Sequence, residues 1–210
     1  MRIAVKICGI NDPVALAAAV AGGARYVGFV FYPRSPRAVV PALAAEFARQ
    51  VPTLVRTVGL FVDADDAFLE HVVSQVPLDL LQLHGNESPA RTRDIRSRFD
   101  IPVMKAIKIA TAADLAIVDP YLSVADRLLF DAKHTAAAAL PGGNGVAFDW
   151  SILAGRTWTR PWMLSGGLNS DNLAAALAIS GATAVDVSSG VEDRPGHKDP
   201  ERIRRFLAAA

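Results

Sequence analysis

Three side chains able to exchange protons stand at the ends of short apolar runs in this chain of 210 residues. Cys8, His84 and Asp131 follow the first, fourth and sixth of these runs. Polar groups at such positions are costly to bury unless they pair with one another or meet a ligand. Their recurrence at the ends of separate runs therefore indicates a functional site.

Each of the three also has a purely structural interpretation. Cys8 could be a buried apolar residue, but Lys6 shares its face of the strand and would favour the thiolate. Asp131 could form a structural ion pair with Lys133, two residues further along the same strand face. His84 could be a hydrogen-bonding residue that lines the rim of a site. Residue types alone leave these alternatives open.

Glycine-rich stretches follow the seventh and eighth apolar runs. Glycine lets backbone N–H groups approach phosphate oxygens closely, and a helix N-terminus favours the dianion. In an eight-stranded α/β barrel, the loops after these two strands commonly bind phosphate. A third stretch, Gly142–Gly145, could add further backbone amides. The residues predicted to lie at the phosphate are Gly166, Gly167, Ser188, Ser189 and Gly190.

The loop after the second run contains a candidate binding residue. Pro33 and Pro36 stiffen this loop, so Arg37 can be held in place before a ligand arrives. Its guanidinium could bind a carboxylate through two parallel hydrogen bonds. A solvated loop arginine is the alternative.

Apolar runs alternate with helical stretches along the whole chain, which predicts parallel strands joined by crossover helices. The sheet is either a closed barrel or an open doubly wound sheet, and eight runs favour a single (βα)8 TIM barrel over residues 1–210. The predicted strands are Ile3–Ile7, Tyr26–Phe31, Thr57–Val62, Leu80–Leu83, Val103–Ile107, Leu128–Phe130, Trp162–Leu164 and Ala184–Val187. The predicted helices are Pro13–Ala21, Pro41–Gln50, Asp65–Val76, Pro89–Arg98, Ala112–Val118, Asp149–Leu153, Ser170–Ile179 and Asp199–Leu207.

Composition argues against several classes of partner. The net charge of +1 gives no electrostatic reason to expect nucleic acid or an anionic membrane. No stretch approaches the ~18 apolar residues of a membrane span, and the N-terminus does not read as a signal peptide. These features predict a soluble, globular, cytoplasmic protein. The helix faces are compatible with a monomer or a homodimer.

Many short motifs run in order over nearly the whole chain, and together they resemble the phosphoribosylanthranilate isomerase family. The matching segments are Lys6–Gly9, Gly28–Phe31, Ser35–Arg37, Gly59–Asp63, Leu81–Gly85, Phe130-Asp131, Phe148–Trp150, Leu164–Leu168, Asp186–Glu192 and Pro195-Gly196. The match is highly specific, because many separate motifs would otherwise have to coincide.

The resemblance implies an Amadori rearrangement of N-(5-phosphoribosyl)anthranilate to 1-(2-carboxyphenylamino)-1-deoxyribulose 5-phosphate in tryptophan biosynthesis, with no metal and no organic cofactor. Asp131 would be the general acid that protonates the furanose oxygen. Cys8 would be the general base that removes the C2′ proton. Arg37 would hold the anthranilate carboxylate, the loops after strands seven and eight would hold the phosphate, and His84 and Asp186 would line the substrate site.

One segment departs from the family pattern. The family usually has a Gly-Gly-Thr-Gly-Lys-Thr run where this chain has Gly142–Ala147, which changes the polar contacts of one loop. A pentose-phosphate epimerase would need metal ligands, and His84 has no spaced histidine partner on neighbouring strands. A histidine-pathway isomerase would carry an aspartate in place of Cys8. A non-catalytic phosphate-binding barrel is the alternative outside enzymes.

Overall fold

The structure is a computed structural model that describes residues 3–133, 145 and 147–210. Its principal strands are β1 (Ala4–Cys8), β2 (Tyr26–Phe31), β3 (Arg56–Phe61), β4 (Leu80–Leu83), β5 (Val103–Ile109), β6 (Arg127–Ala132), β7 (Trp162–Leu164) and β8 (Ala184–Val187). These eight strands are parallel and close into a barrel in chain order. The predicted TIM barrel is confirmed, and the open doubly wound sheet is ruled out.

Helices cover the outside of the barrel and bury the outward-facing side chains of the strands. They are α1 (Pro13–Ala21), α2 (Pro41–Gln50), α3 (Asp66–Val73), α4 (Pro89–Phe99), α5 (Asp119–Leu122), α6 (Leu173–Ser180) and α7 (Pro200–Ala208). Asp12 and Ser88 cap α1 and α4, where each side chain accepts a hydrogen bond from the backbone N–H three residues later. Within the described ranges, no helix has the length and apolar character to cross a membrane.

Two predicted helices are wrong in type. The stretch after β5 forms a 3-10 helix, Ala112–Ile117, followed by the four-residue α5. Pro120 lacks a backbone N–H, so it cannot continue a regular helix begun at Ala112. The segment before β7 forms only the 3-10 turn Trp150–Leu153, because Gly155 adopts φ +67° soon afterwards and turns the chain away.

A small hairpin after β8 is absent from the sequence-based expectations. A 3-10 turn at Ser189–Val191 leads into β9 (Glu192–Arg194), which pairs antiparallel with β10 (His197–Lys198). The turn between them contains Gly196 at φ +82°. A Cβ on Gly196 would lie 2.4 Å from the carbonyl oxygen of Pro36, so the hairpin packs against the loop after β2.

The barrel lumen changes from apolar to polar toward the carboxyl ends of the strands. Its lower part is a cluster of inward-facing residues, namely Tyr26, Val58, Leu80, Met104, Ala106, Leu129 and Met163. Above them lie Lys6, Gln82 and Asp186, which are no more than 4% exposed. Buried polar groups require partners, and here the partners lead to the reactive side chains at the mouth.

Candidate active site

Cys8 ends β1 at the mouth of the barrel, beside Gly28 of β2. A Cβ on Gly28 would lie 2.9 Å from Lys6 Nζ and 3.2 Å from Cys8 Sγ. The cation and the thiol therefore meet above this glycine, as the shared strand face predicts. On its other side Cys8 packs with Val30 and Leu60, which form an apolar wall on β2 and β3.

Lys6 links the thiol to a carboxylate on β8. Its Nζ lies 2.9 Å from Asp186 Oδ1, and Ser165 Oγ donates to Asp186 Oδ2 at 3.2 Å. The register of β1 and β8 places Lys6 directly beside Asp186. Burial alone would lower the pKa of Lys6, but Asp186 and Cys8 outweigh burial and raise the pKa. Lys6 therefore remains a cation at neutral pH.

The thiol of Cys8 holds its proton in the free protein. Burial raises the pKa of Cys8, Lys6 lowers it, and Asp186 raises it again, with a raised pKa as the net result. Lys6 thus favours the thiolate, as its place on the same strand face indicates, but it does not offset burial. The contact is present, but the removal of the thiol from water has the larger effect.

Asp131 on β6 is held by hydrogen bonds from two directions. His84 Nε2 lies 3.1 Å from Asp131 Oδ2, and the backbone N–H of Ala132 donates to Oδ1 at 3.0 Å. Gln82 Nε2 lies 2.8 Å from His84 Nδ1. With Gln82 donating to Nδ1, the ring proton belongs on Nε2, facing Asp131. Gln82, His84 and Asp131 thus form one chain across β4 and β6.

Lys133 is not the partner of Asp131. Its Nζ lies 2.7 Å from Asp114 Oδ1, and its side chain is 53% exposed. Lys133 lies beyond the end of β6, where the strand alternation that would have kept it beside Asp131 no longer applies. The structural ion pair that the sequence left open for Asp131 is therefore excluded.

A second buried ion pair supports the loop that carries His84. Lys105 Nζ lies 2.9 Å from Glu87 Oε2 and donates to the carbonyl of Gly85 at 2.8 Å. Glu87 Oε1 in turn accepts the Gly85 N–H at 3.1 Å. These contacts fix the backbone immediately after His84. Sequence reasoning missed them, because neither charged residue stands in a segment singled out for chemistry.

The two described glycine-rich loops lie side by side at the mouth. Gly166 and Gly167 follow β7, and a Cβ on Gly190 after β8 would lie 1.9 Å from the carbonyl oxygen of Leu168, so only glycine fits there. The Ser188 hydroxyl is directed toward the end of β1 and donates to the carbonyl of Cys8 at 3.1 Å. Ser189 begins the following 3-10 turn. The predicted contributors at positions 142–144 lie outside the described residues.

Arg37 is 5% exposed, which excludes the solvated loop arginine. Its guanidinium forms a two-point contact with Glu192, from Nε to Oε1 at 2.7 Å and from Nη2 to Oε2 at 2.8 Å. Lys198 Nζ lies 2.6 Å from the same Oε1. Glu192 stands within one of the motifs noted in the sequence, but no signal there indicated its partner. Lys198 was missed altogether.

Comparison with known proteins gives a consistent result. The family model of N-(5'-phosphoribosyl)anthranilate (PRA) isomerase matches residues 5–209. N-(5'-phosphoribosyl)anthranilate isomerase of Rhodospirillum centenum is 67% identical over 211 residues, covering 100% of this chain and 99% of that protein. The crystal structure of phosphoribosyl anthranilate isomerase from Thermotoga maritima has a TM-score of 0.88 and 38% identity, covering 99% of this chain and 98% of that one.

A further solved structure is similar over the same extent. It is a phosphoribosyl anthranilate isomerase in complex with reduced 1-(o-carboxyphenylamino)-1-deoxyribulose 5-phosphate. Its TM-score is 0.86 with 37% identity, and the match covers 99% of this chain and 98% of that one.

Proposed function

The chain belongs to the N-(5'-phosphoribosyl)anthranilate isomerase family of tryptophan biosynthesis, and from this premise we propose that Cys8 and Asp131 are its general base and general acid. The substrate is N-(5-phosphoribosyl)anthranilate, and the product is 1-(2-carboxyphenylamino)-1-deoxyribulose 5-phosphate. The reaction opens a furanose ring and moves one proton from carbon.

One observation carries this assignment. A buried thiol beside a buried cation ends β1, and a buried carboxyl group that is hydrogen-bonded to an imidazole lies near the end of β6. The intervening strands β7 and β8 separate the two groups around the same mouth. A sugar bound there can meet an acid on one side and a base on the other, which is what the rearrangement requires.

The acid step would come first. Asp131 would transfer its proton to the furanose oxygen while the C1′–O bond breaks, and the nitrogen would supply the electron pair that forms the imine. The nitrogen then carries a positive charge. His84 Nε2, at 3.1 Å from Asp131 Oδ2, carries the ring proton and can donate to the carboxylate that remains after the transfer.

The base step would follow on the charged imine. The Cys8 thiol would first lose its own proton to solvent. The thiolate would then remove the C2′ proton, and the electrons of that C–H bond would form the C1′–C2′ double bond and neutralise the nitrogen. The resulting enolamine tautomerises to the ketone. The cationic nitrogen and Lys6 both favour the thiolate, and a thiol of raised pKa is a stronger base once it is ionised.

Three further features would bind the substrate. Arg37 would meet the anthranilate carboxylate, and the apolar wall of Val30 and Leu60 beside Cys8 suits the aromatic ring. Backbone amides of the loops after β7 and β8 would hold the phosphate. Asp186 would act chiefly through Lys6 and Ser165, since both of its oxygens have partners there.

A turnover assay with the purified protein tests the proposal. The fluorescence of the anthranilate group should change with time when N-(5-phosphoribosyl)anthranilate is supplied, and the product should co-elute with the deoxyribulose phosphate. The aminoaldose substrate of the histidine-pathway isomerase is assayed in parallel. Turnover of the aminoaldose alone, or of neither compound, would refute the proposed substrate.

A further inference from the structure

Three buried charged side chains form a cluster beside the mouth of the barrel. Arg37, Glu192 and Lys198 are 5%, 6% and 2% exposed. Glu192 binds Arg37 through both of its oxygens and Lys198 through one. Burial would raise the pKa of Glu192, but hydrogen bonds and charge from Arg37 and Lys198 lower it. Glu192 is therefore an ionised carboxylate shared by two cations.

The two-point contact with Glu192 fixes the orientation of the Arg37 guanidinium as well as its position. A guanidinium is planar, so hydrogen bonds at Nε and Nη2 set both the direction of its plane and its rotation within that plane. The stem of Arg37 is confined as well, since a Cβ on Gly9 would lie 2.9 Å from Arg37 Cδ. The edge of the guanidinium that includes Nη1 is thereby held in one orientation.

The same cluster is bonded to the strand that carries Cys8. Lys198 Nζ donates to the carbonyl of Ser188 at 3.0 Å and lies 3.1 Å from Ser188 Oγ. Ser188 Oγ donates to the carbonyl of Cys8 at 3.1 Å. A continuous path of polar contacts therefore runs from the Arg37 guanidinium to the backbone of the thiol.

From this geometry we infer that Glu192 is a positioning residue. It orients Arg37 toward the anthranilate carboxylate and, through Lys198, keeps Arg37 at a fixed position relative to Cys8. The inference rests on the proposed function, in which Arg37 binds that carboxylate. An arginine oriented in advance loses less conformational freedom when the ligand arrives. The contribution of Glu192 should therefore be to KM more than to kcat.

The test measures KM and kcat of Glu192→Gln with two compounds, the natural substrate and N-(5-phosphoribosyl)aniline, which lacks the carboxylate. Positioning predicts that KM rises about tenfold or more for the natural substrate and changes little for the aniline compound. If Glu192 only neutralised positive charge, its removal would strengthen carboxylate binding, and KM for the natural substrate would fall. Glu192→Asp keeps the charge but shortens the side chain, so an intermediate rise in KM is expected.

Two further variants keep the result interpretable. Glu192→Gln with Lys198→Met removes both charges, so it serves even if the single variant leaves Lys198 unpaired and fails to fold. A raised KM confined to the natural substrate supports positioning in either background, and equal effects on both compounds overturn it. Arg37→Ala tests the role of Arg37 in carboxylate binding separately from the positioning role of Glu192. If it fails to discriminate between the compounds, the proposed role of Arg37 is wrong; if it discriminates and the Glu192 variants do not, only the positioning role is wrong.

Discussion

The thiol side and the carboxyl side of the proposed active site hold their reacting groups by different means. On the thiol side, Cys8 lies beside Lys6, and Lys6 is bonded to Asp186 at 2.9 Å. On the carboxyl side, Asp131 is hydrogen-bonded to the imidazole ring of His84 at 3.1 Å and to the backbone N–H of Ala132. One side is built from fixed charges, and the other from hydrogen bonds.

This difference matches what each group must do. A base must give up its own proton before it can take one from carbon, and a nearby fixed cation favours the ionised form against the effect of burial. An acid must hold its proton until the furanose oxygen takes it, and a fixed cation beside it would release that proton too early. An imidazole whose other nitrogen accepts a hydrogen bond from Gln82 keeps its proton on Nε2, so it can stabilise the carboxylate as it forms without placing a fixed charge beside the acid.

Loss of either reacting group should have the largest effect. Cys8→Ala and Asp131→Asn are each expected to lower kcat by about 100-fold or more, the usual size for a general acid or base. Asp114→Asn is a matched control, because Asp114 pairs with Lys133 outside the proposed site. Thermal melting checks that all three variants fold. Near-normal turnover by either site variant would remove that residue from the mechanism.

Replacement of Lys6 should affect the thiol side alone. Lys6 lowers the pKa of Cys8, so Lys6→Met should raise it further above the wild-type value. The rate of Cys8 alkylation with iodoacetamide should inflect above ~8.5 in the wild type and at still higher pH in the variant. Loss of a charge-assisted contact of about 1.5–3 kcal/mol predicts that kcat at neutral pH falls roughly 10-fold to 100-fold. An unchanged inflection would show that Lys6 does not act on the thiol.

Replacement of His84 should affect the carboxyl side alone. His84→Gln keeps a hydrogen-bonding group near Asp131 but lacks the ring N–H that Gln82 holds toward the carboxyl group. We expect kcat to fall about tenfold, the equivalent of one modest hydrogen bond. The alkylation profile of Cys8 should stay as in the wild type, because His84 is bonded to Asp131 and Gln82 instead. A shifted profile would mean that the two sides are coupled.

The smallest effect is expected at Lys133. Its ion pair with Asp114 joins a lysine side chain that is 53% exposed, and such surface pairs contribute about 0–1 kcal/mol. Lys133→Ala should therefore leave kcat unchanged and alter the free energy of unfolding by less than about 1 kcal/mol. Denaturant unfolding and steady-state kinetics measure both quantities. A large loss of kcat would indicate that Lys133 interacts with Asp131 after all.

Local pattern was sufficient to predict the barrel. Alternating strands and helices repeat eight times, and parallel strands bring their carboxyl ends to one mouth, so Cys8, His84 and Asp131 had to lie at the same end. Gln82 and His84 share a face because strand side chains alternate. Segments interrupted by Pro120 or ended by Gly155 were predicted less well, since helix type there depends on one backbone group.

Contacts between distant segments could not be predicted in the same way. The partner of Asp131 depends on where β6 ends, and Lys133 falls just beyond that point. The pKa of Cys8 is a balance between burial and Lys6, and the extent of burial is a property of the folded barrel. Glu192 and Lys198 meet Arg37 only because the hairpin after β8 folds against the loop after β2.

The effect of deuterium at C2′ of the substrate on kcat tests the assignment of base and acid most directly. Cys8→Ser replaces the thiol with a hydroxyl that hardly ionises at neutral pH, so removal of the C2′ proton should limit the rate and the isotope effect should exceed that of the wild type. Asp131→Asn slows ring opening, which breaks no bond to C2′ hydrogen, so the isotope effect should fall toward one. The reverse pattern, with a large effect in Asp131→Asn and none in Cys8→Ser, would contradict the account.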